Sequence, residues 1–372
     1  MKFIIITHVV HIKKDEKYFG YAPYVREMNV WLKYTDDLII VAPLTKNNPG
    51  AIDIPYSFKN IDFKQIPNFN VTTLKNTLSS IFKLPLIFWR IFWAIKKSDH
   101  IHLRCPGNVG LIGCLVQILF PHKTKTAKYA GNWDPKSKQP WSYRVQKWIL
   151  NNAFLTRNMK VLVYGEWEGS TSNIKPFFTA TYSEEDVIPI KILNLKEKIH
   201  FVFVGTLSPG KNPLYTIQLV EELFRKGYNV ILELYGEGIE RKALENYIAS
   251  NALNEIVVLK GNQNQETVKK AYQNSHFVIL PSKSEGWPKA IAEGMFWGCV
   301  PISTKVSCVP FMLDYGNRGL LLEMDFNKDV SKIENIILNE DDFIFKKKLA
   351  SQWSQQYTVE FFENEIKKLI LK

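Results

Sequence analysis

The chain has 372 residues, 46% hydrophobic and 13% aromatic, with a formal net charge of +12. That length suits two domains with cores of their own, and the composition excludes a disordered, collagen-like or low-complexity chain. Cys105, Cys114, Cys299 and Cys308 show no CxxC spacing, which argues against a disulfide framework or zinc site and for reduced thiols in a cytosolic setting.

The opening run MKFIIITHVV reads as a first strand, because its apolar stretch is short and lacks the small-residue cleavage site of a signal peptide. A helix, FGYAPYVREMNVWLKY, and a strand, DLIIVAPL, follow. Then come a long helix LKNTLSSIFKLPLIFWRIFWAIKK, strand IHLRCPG, helix VGLIGCLVQILF, strand KTAKYAG, helix SYRVQKWILNNAFL and strand KVLVYG. Leu78 to Ile95 is the most hydrophobic window, but Lys83, Pro85 and Arg90 interrupt it and make it a poor membrane span.

A polar, proline-containing break covers residues 183–197. Alternation then restarts with strand IHFVFVG, helix YTIQLVEELFRKG, strand NVILELYG, helix IERKALENYIASN, strand EIVVLKG and helix ETVKKAYQNS. Strand HFVILPS, helix AIAEGMFWG and strand VPISTK complete it, and the last stretch, QWSQQYTVEFFENEIKKLILK, is amphipathic. Such alternation predicts an α/β fold of two doubly wound domains in tandem, with a linker near residue 190.

Charge is distributed unevenly. From Met1 to Leu195, 26 Lys+Arg stand against 14 Asp+Glu, whereas the remainder carries 22 of each. Between Lys59 and Lys160 there are 17 basic residues and only Asp62, Asp99 and Asp134. A basic surface of this size seeks phosphate: nucleic acid, anionic lipid or a lipid-linked diphosphate. Tryptophans 89, 93, 133, 141 and 148 interleave with the cations, which suits base stacking, but no RNA-binding signature accompanies them. Basic and aromatic residues together in LIFWRIFWAIKK suit an anionic interface; the alternative is a core helix with a solvated basic face.

Ligands of doubly wound sheets bind at the carboxyl ends of the strands. FVFVGTLSPGKNP sets Gly205, a small polar loop and Lys211 before a helix, an arrangement able to hold a diphosphate, or else an ordinary turn with a surface lysine. Gly236 and Gly238 permit close backbone approach or a tight turn, and Gly261-Asn262-Gln263 ends another strand. SEGWPKAIAEGMFWG places Glu285 just before a helix N-terminus, with Pro288 in the first turn. Glu293 lies two turns on, flanked by Ala292 and Gly294, small neighbours that leave room for something large. Two carboxylates so spaced can accept hydrogen bonds from two sets of vicinal hydroxyls, one on a hexose and one on a ribose. A capping glutamate explains Glu285 but leaves Glu293 inside an apolar helix.

Taken in this order, these features resemble the donor domain of the family-4 retaining glycosyltransferases of the GT-B fold, over residues 199–323. Tyr315-Gly316-Asn317-Arg318-Gly319-Leu320-Leu321 also fits that pattern, and the final helix is similar to the family's C-terminal helix. The resemblance implies two Rossmann-like domains facing a central cleft: an acceptor-binding domain over 1–190, a nucleotide-sugar domain over 191–352, and a helix over 353–372 returning to the first. It further implies that Lys211 neutralises the donor diphosphate, Glu293 binds the ribose and Glu285 holds the transferred sugar, with the Gly286-Trp287-Pro288-Lys289 backbone nearby. The loop after Gly261, with Asn262, approaches the base. Gly205, Gly236 and Gly238 complete the donor site.

The chain also departs from the family. Thr206 replaces an arginine, so diphosphate binding leans on Lys211 and Lys289, and Ser307-Cys308 replaces Gly-Gly before the last donor loop. The first loop holds only Gly20 where the family often has paired glycines, and Asn132 or Asp134 takes the place of a His-Gly near the donor sugar. His8, His11, His102 and Arg104 lie at predicted strand ends.

The implied reaction moves a hexose or N-acetylhexosamine from a nucleotide diphosphate, UDP before GDP, to a glycan or polyprenyl-linked acceptor of bacterial surface polysaccharide, with no cofactor and no metal. The acceptor side implies peripheral contact with the inner face of the cytoplasmic membrane, and no nucleic acid. A GT-B sugar-nucleotide epimerase, or a non-catalytic nucleotide-sugar or nucleic-acid binder, is the alternative.

Overall fold

The computed structural model describes residues 1–50, 52–67 and 74–371, with side chains throughout except at 74–81. Two compact units emerge: Met1–Phe178 with Phe362–Lys372, and Thr179–Phe361.

The first unit runs β1 (Lys2–Ile6), β2 (His11–Lys14), β3 (Lys17–Tyr21), α1 (Ala22–Leu32), β4 (Asp37–Thr45), β5 (Asp53–Pro55), β6 (Ile61–Ile66) and α2 (Leu74–Lys96). It continues with β7 (His100–Cys105), α3 (Asn108–Val116), β8 (Thr124–Tyr129), α4 (Trp141–Leu150), β9 (Met159–Tyr164) and β10 (Ile174–Phe177). Its sheet has the order β10-β9-β8-β7-β1-β4-β2-β3-β5, with β6 also on β4. β1 and β4 are near-continuous buried apolar runs, as parallel strands between two helix layers must be, and β7 is equally buried although His100, His102 and Arg104 alternate with its apolar residues.

FGYAPYVREMNVWLKY is not one helix. Its first three residues close β3, and Pro23 opens α1. HIKK and KYFGY pair antiparallel through Asp15 and Glu16, both left-handed at φ 48° and 58°, the geometry of a two-residue hairpin.

The second unit runs β11 (Ile199–Val204), α5 (Pro213–Arg225), β12 (Val230–Tyr235), α6 (Arg241–Ser250), β13 (Val257–Gly261), α7 (Gln265–Gln273), β14 (Phe277–Leu280) and α8 (Lys289–Phe296). After these come β15 (Val300–Thr304), α9 (Val309–Met312), β16 (Leu320–Leu322), α10 (Phe326–Leu338) and α11 (Glu340–Ser354). All six strands are parallel in the order β13-β12-β11-β14-β15-β16. The last helix, α12 (Val359–Ile370), is separate from α11, and from Phe362 onward it belongs to the first unit. There Phe362 packs on Phe177 at 5.4 Å between ring centroids, and Lys175 pairs with Glu365 at 2.7 Å. No helix among the described residues is long and apolar enough to cross a membrane.

Candidate functional site

Where strand order reverses in a doubly wound sheet, the loops at the carboxyl ends diverge and leave a crevice. In the second unit that point lies between β11 and β14. The loop after β11 carries Lys211 and the loop after β14 carries Glu285, and Lys211 Nζ donates to Glu285 Oε1 at 2.5 Å. The carboxylate is buried, while the lysine side chain keeps 29% of its surface exposed. Backbone joins the same loops, with Lys283 N donating to Gly210 O at 2.8 Å. Lys211 immediately precedes the left-handed Asn212 (φ 55°), and Pro213 then starts α5. A cation, a carboxylate and a helix N-terminus therefore share one crevice, which is what a phosphorylated polyol requires.

The glycines are needed for a different contact. Gly236 has φ 142°, and a Cβ there would stand 1.9 Å from Gly205 O; on Gly238 it would stand 2.1 Å from Leu207 O. Three strand-end loops are thereby laced together: Gly205 N donates to Tyr235 O at 2.9 Å, Leu207 N to Glu237 O at 3.0 Å, and Gly236 N to Gly261 O at 2.9 Å. Thr206 and Asn262 remain exposed on these loops.

Glu293 has partners within the unit. Thr181 Oγ1 donates to its Oε1 at 2.8 Å, and Tyr272 Oη lies 3.5 Å from its Oε2. Burial, with Glu293 second, pushes the Tyr182 phenol above its usual range. The expectation that Ala292 and Gly294 leave room for a ligand is corrected. A Cβ on Gly294 would stand 2.5 Å from Val278 Cγ1, so this glycine admits β14, and Ala292 O accepts from Ser354 Oγ of α11 at 2.6 Å. Lys289 and Glu293 line a cavity of about 20 Å³ with Thr179, Trp287 and Tyr357. Trp287 and Pro288 are buried, the tryptophan stacked on Trp353 at 6.1 Å.

Ser307 and Cys308 tie the next loop to this one. Their Oγ and Sγ reach Gly286 O at 3.3 and 3.1 Å. Ser307 holds φ 50°, a conformation glycine adopts more readily, and burial pushes the Cys308 thiol up to about 12.

The first unit places its candidates differently. His11 is buried in β2, its Nε2 2.9 Å from Tyr56 Oη; His102 is buried within β7, its Nδ1 2.9 Å from Thr126 Oγ1. Burial lowers their pKa values to about 4 and about 3, so both are neutral core residues rather than site groups. Arg104 reaches Glu27 at 3.3 Å, and buried Lys128 meets the same oxygen at 3.0 Å. Asn132 and Asp134 bond within their own loop: Asn132 Oδ1 accepts from Asp134 N at 2.9 Å, and Asp134 Oδ1 from Lys136 N at 2.8 Å. Gly20 stands inside β3, paired with Ile54 of β5, instead of in a loop. His8, just beyond β1, lies over Gly107, where a Cβ would come within 2.6 Å of its Nδ1. Sequence reasoning missed Thr181 and Tyr272 beside Glu293, and no local pattern marks either.

Residues 185–356 match the family model for glycosyl transferases group 1. Protein CapJ of Staphylococcus aureus is 23% identical over 346 residues, covering 90% of this chain and 85% of that one. A TarM variant of S. aureus, solved with fondaparinux, alpha-GlcNAc-glycerol and UDP, superposes with a TM-score of 0.59 at 18% identity. That match covers 77% of this chain, and this chain spans only 59% of TarM. The lipopolysaccharide outer core galactosyltransferase WaaB superposes over 100% of this chain and 99% of its own, with a TM-score of 0.70 at 14% identity. Residues 185–356 therefore belong to the glycosyl transferases group 1, and the chain is a glycosyltransferase built on the GT-B fold.

Proposed function

We propose that this glycosyltransferase moves a hexose or N-acetylhexosamine from a UDP-sugar to a glycan or lipid-linked acceptor of bacterial surface polysaccharide, with retention at the anomeric carbon. The observation that carries this reading is the Lys211–Glu285 pair at the strand-order reversal. Lys211 and the start of α5 take the diphosphate, and Glu285 takes hydroxyls of the transferred sugar. Glu293 exchanges the Thr181 hydroxyl for the ribose hydroxyls, and the Gly261-Asn262 loop meets the base. The bond from the anomeric carbon to the diphosphate breaks and the bond to the acceptor oxygen forms on the same face. The acceptor proton passes to the departing diphosphate. Charge developing on that group is met by the Lys211 ammonium and backbone N–H groups, which is why the reading assigns no metal. UDP beside alpha-GlcNAc-glycerol in TarM, and the galactosyl transfer of WaaB, support the donor and acceptor classes.

The test is a thermal-shift panel of UDP, GDP, ADP, CMP and their sugars. UDP and one of its sugars raise the melting temperature, by about 2.7 kcal/mol of stabilisation at a hundred times the dissociation constant. The rise disappears in Lys211→Ala. If none of these nucleotides shifts the wild-type melt, the donor assignment fails.

A further inference from the structure

Helix α2 carries two apolar faces. Ile87, Ile91, Ala94 and Ile95 point into the core of the first unit and are buried. Phe82, Leu86, Trp89 and Trp93 follow one another at intervals of four, three and four residues, which places them on one other face. That face is open: Phe82 is 85% exposed, Trp89 54% and Trp93 48%. A helix that merely covers a sheet carries polar residues there. The two indoles stack at 6.2 Å between centroids, so Trp89 and Trp93 form one joined aromatic patch on this apolar strip.

The same segment is basic. From Phe82 to Lys97 it carries Lys83, Arg90, Lys96 and Lys97 and no acidic residue. Lys96 Nζ lies over the Trp93 ring at 4.8 Å, keeping that charge at the rim of the strip. Along the other rim, Trp89, Arg90, Trp93 and Lys97 border a groove of about 470 Å³ closed by Phe63 and Lys64 of β6. Asp62, the nearest acid on that strand, is held by Lys64 at 2.7 Å.

We infer that the outer face of α2 lies in the interface of an anionic phospholipid bilayer. Trp89 and Trp93 sit at headgroup depth, Phe82 and Leu86 reach the acyl boundary, and the groove beside Arg90 and Lys97 receives a lipid phosphate. Charge and amphipathicity commit the face to this occupant. Tryptophan and long cationic side chains are the residues that an anionic membrane surface selects together, and a neutral protein partner would leave the acid-free cation set unmatched. The inference does not depend on the donor assignment, since binding is read without nucleotide or turnover.

The experiment is cosedimentation of the full chain with vesicles of phosphatidylcholine alone and of phosphatidylcholine mixed with phosphatidylglycerol. The chain pellets with the mixed vesicles, not with phosphatidylcholine alone, and added salt releases it. Trp89→Ser with Trp93→Ser lowers the partition coefficient on the order of tenfold, and Arg90→Glu with Lys97→Glu does at least as much. Trp141→Ser with Trp148→Ser, more exposed on α4 than Trp89 and Trp93 are on α2, leaves binding unchanged. Circular dichroism shows each variant folded. No pelleting with the mixed vesicles, or pelleting that survives the Trp89/Trp93 change, overturns the assignment. So does a dimer in light scattering that the same change dissolves, which would make this a face between two copies of the chain.

Discussion

Polar residues at strand ends mean different things in the two units. In the second, Lys211 and Glu285 meet at a crevice that leaves part of the lysine exposed. In the first, Glu27, Arg104 and Lys128 meet as well, but Lys128 is wholly buried and also bonds Phe178 O at 3.2 Å. One ion pair keeps a face toward solvent, where a ligand can compete for it. The other is enclosed, with aromatic rings around its ammonium, including Phe362 at 5.1 Å. The lesson is that residue type at a strand end does not distinguish a site from a brace. Access to solvent and the position of the strand-order reversal do.

That contrast breaks if the brace can be removed without unfolding. Glu27→Ala leaves Lys128 buried without its carboxylate and is expected to destabilise the first unit by about 3–5 kcal/mol. Chemical denaturation followed by fluorescence checks this; a loss under about 1 kcal/mol would mean the cluster is not a brace. Glu285→Gln should do the reverse. Its partner is part-exposed, so the fold is retained, while sugar transfer falls on the order of a hundred- to a thousandfold. Turnover assays set beside a thermal melt decide it, and wild-type rates would remove Glu285 from the site.

Glycine sharpens the comparison. Gly236→Ala drives a Cβ onto Gly205 O and is expected to cost about 3 kcal/mol and to lose UDP binding, because the three laced loops must separate. Gly20→Ala meets no backbone, only Val25 Cγ2 at 3.2 Å and the His11 ring at 3.8 Å, and should cost about 1 kcal/mol or less. Equal effects in paired melts would contradict the loop lacing.

The last effect is graded by pH. His11 and His100 are lowered to about 4 and His102 to about 3, each by burial, in the first unit. His276 is lowered to about 4 in the second, again chiefly by burial. A histidine whose folded pKa lies below its unfolded value near 6.5 contributes its full stability above that value and loses it as pH falls toward the folded pKa. Each costs about 1.4 kcal/mol per pH unit across that window. Facing their rings, His11 has Tyr56, while His100 and His102 share Thr126, and the charges that act on His102 are those of Glu27, Arg104 and Lys128. Hydrogen exchange on the full chain between pH 6.5 and 4 should show peptides of the first unit loosening before those of the second; the opposite order would contradict this account.

The amino-acid sequence alone determined the alternation of strands and helices, the second-unit loops that carry Gly205, Lys211, Gly236, Gly238 and Glu285, and the helix that carries Glu293, whereas the units divide at residues 178 and 179 rather than near 190. Those features are legible because they are local: a buried parallel strand is a continuous apolar run, and a loop pressed against another backbone needs glycine. Only the tertiary structure decided what each polar residue faces. It put Gly294 against Val278, turned His11 and His102 into the core, closed β2 and β3 into a hairpin and set Thr181 and Tyr272 beside Glu293. Those outcomes depend on which strands become neighbours. Thr181 and Glu293 are 112 residues apart, and their meeting comes from chain topology rather than from any pattern within either segment.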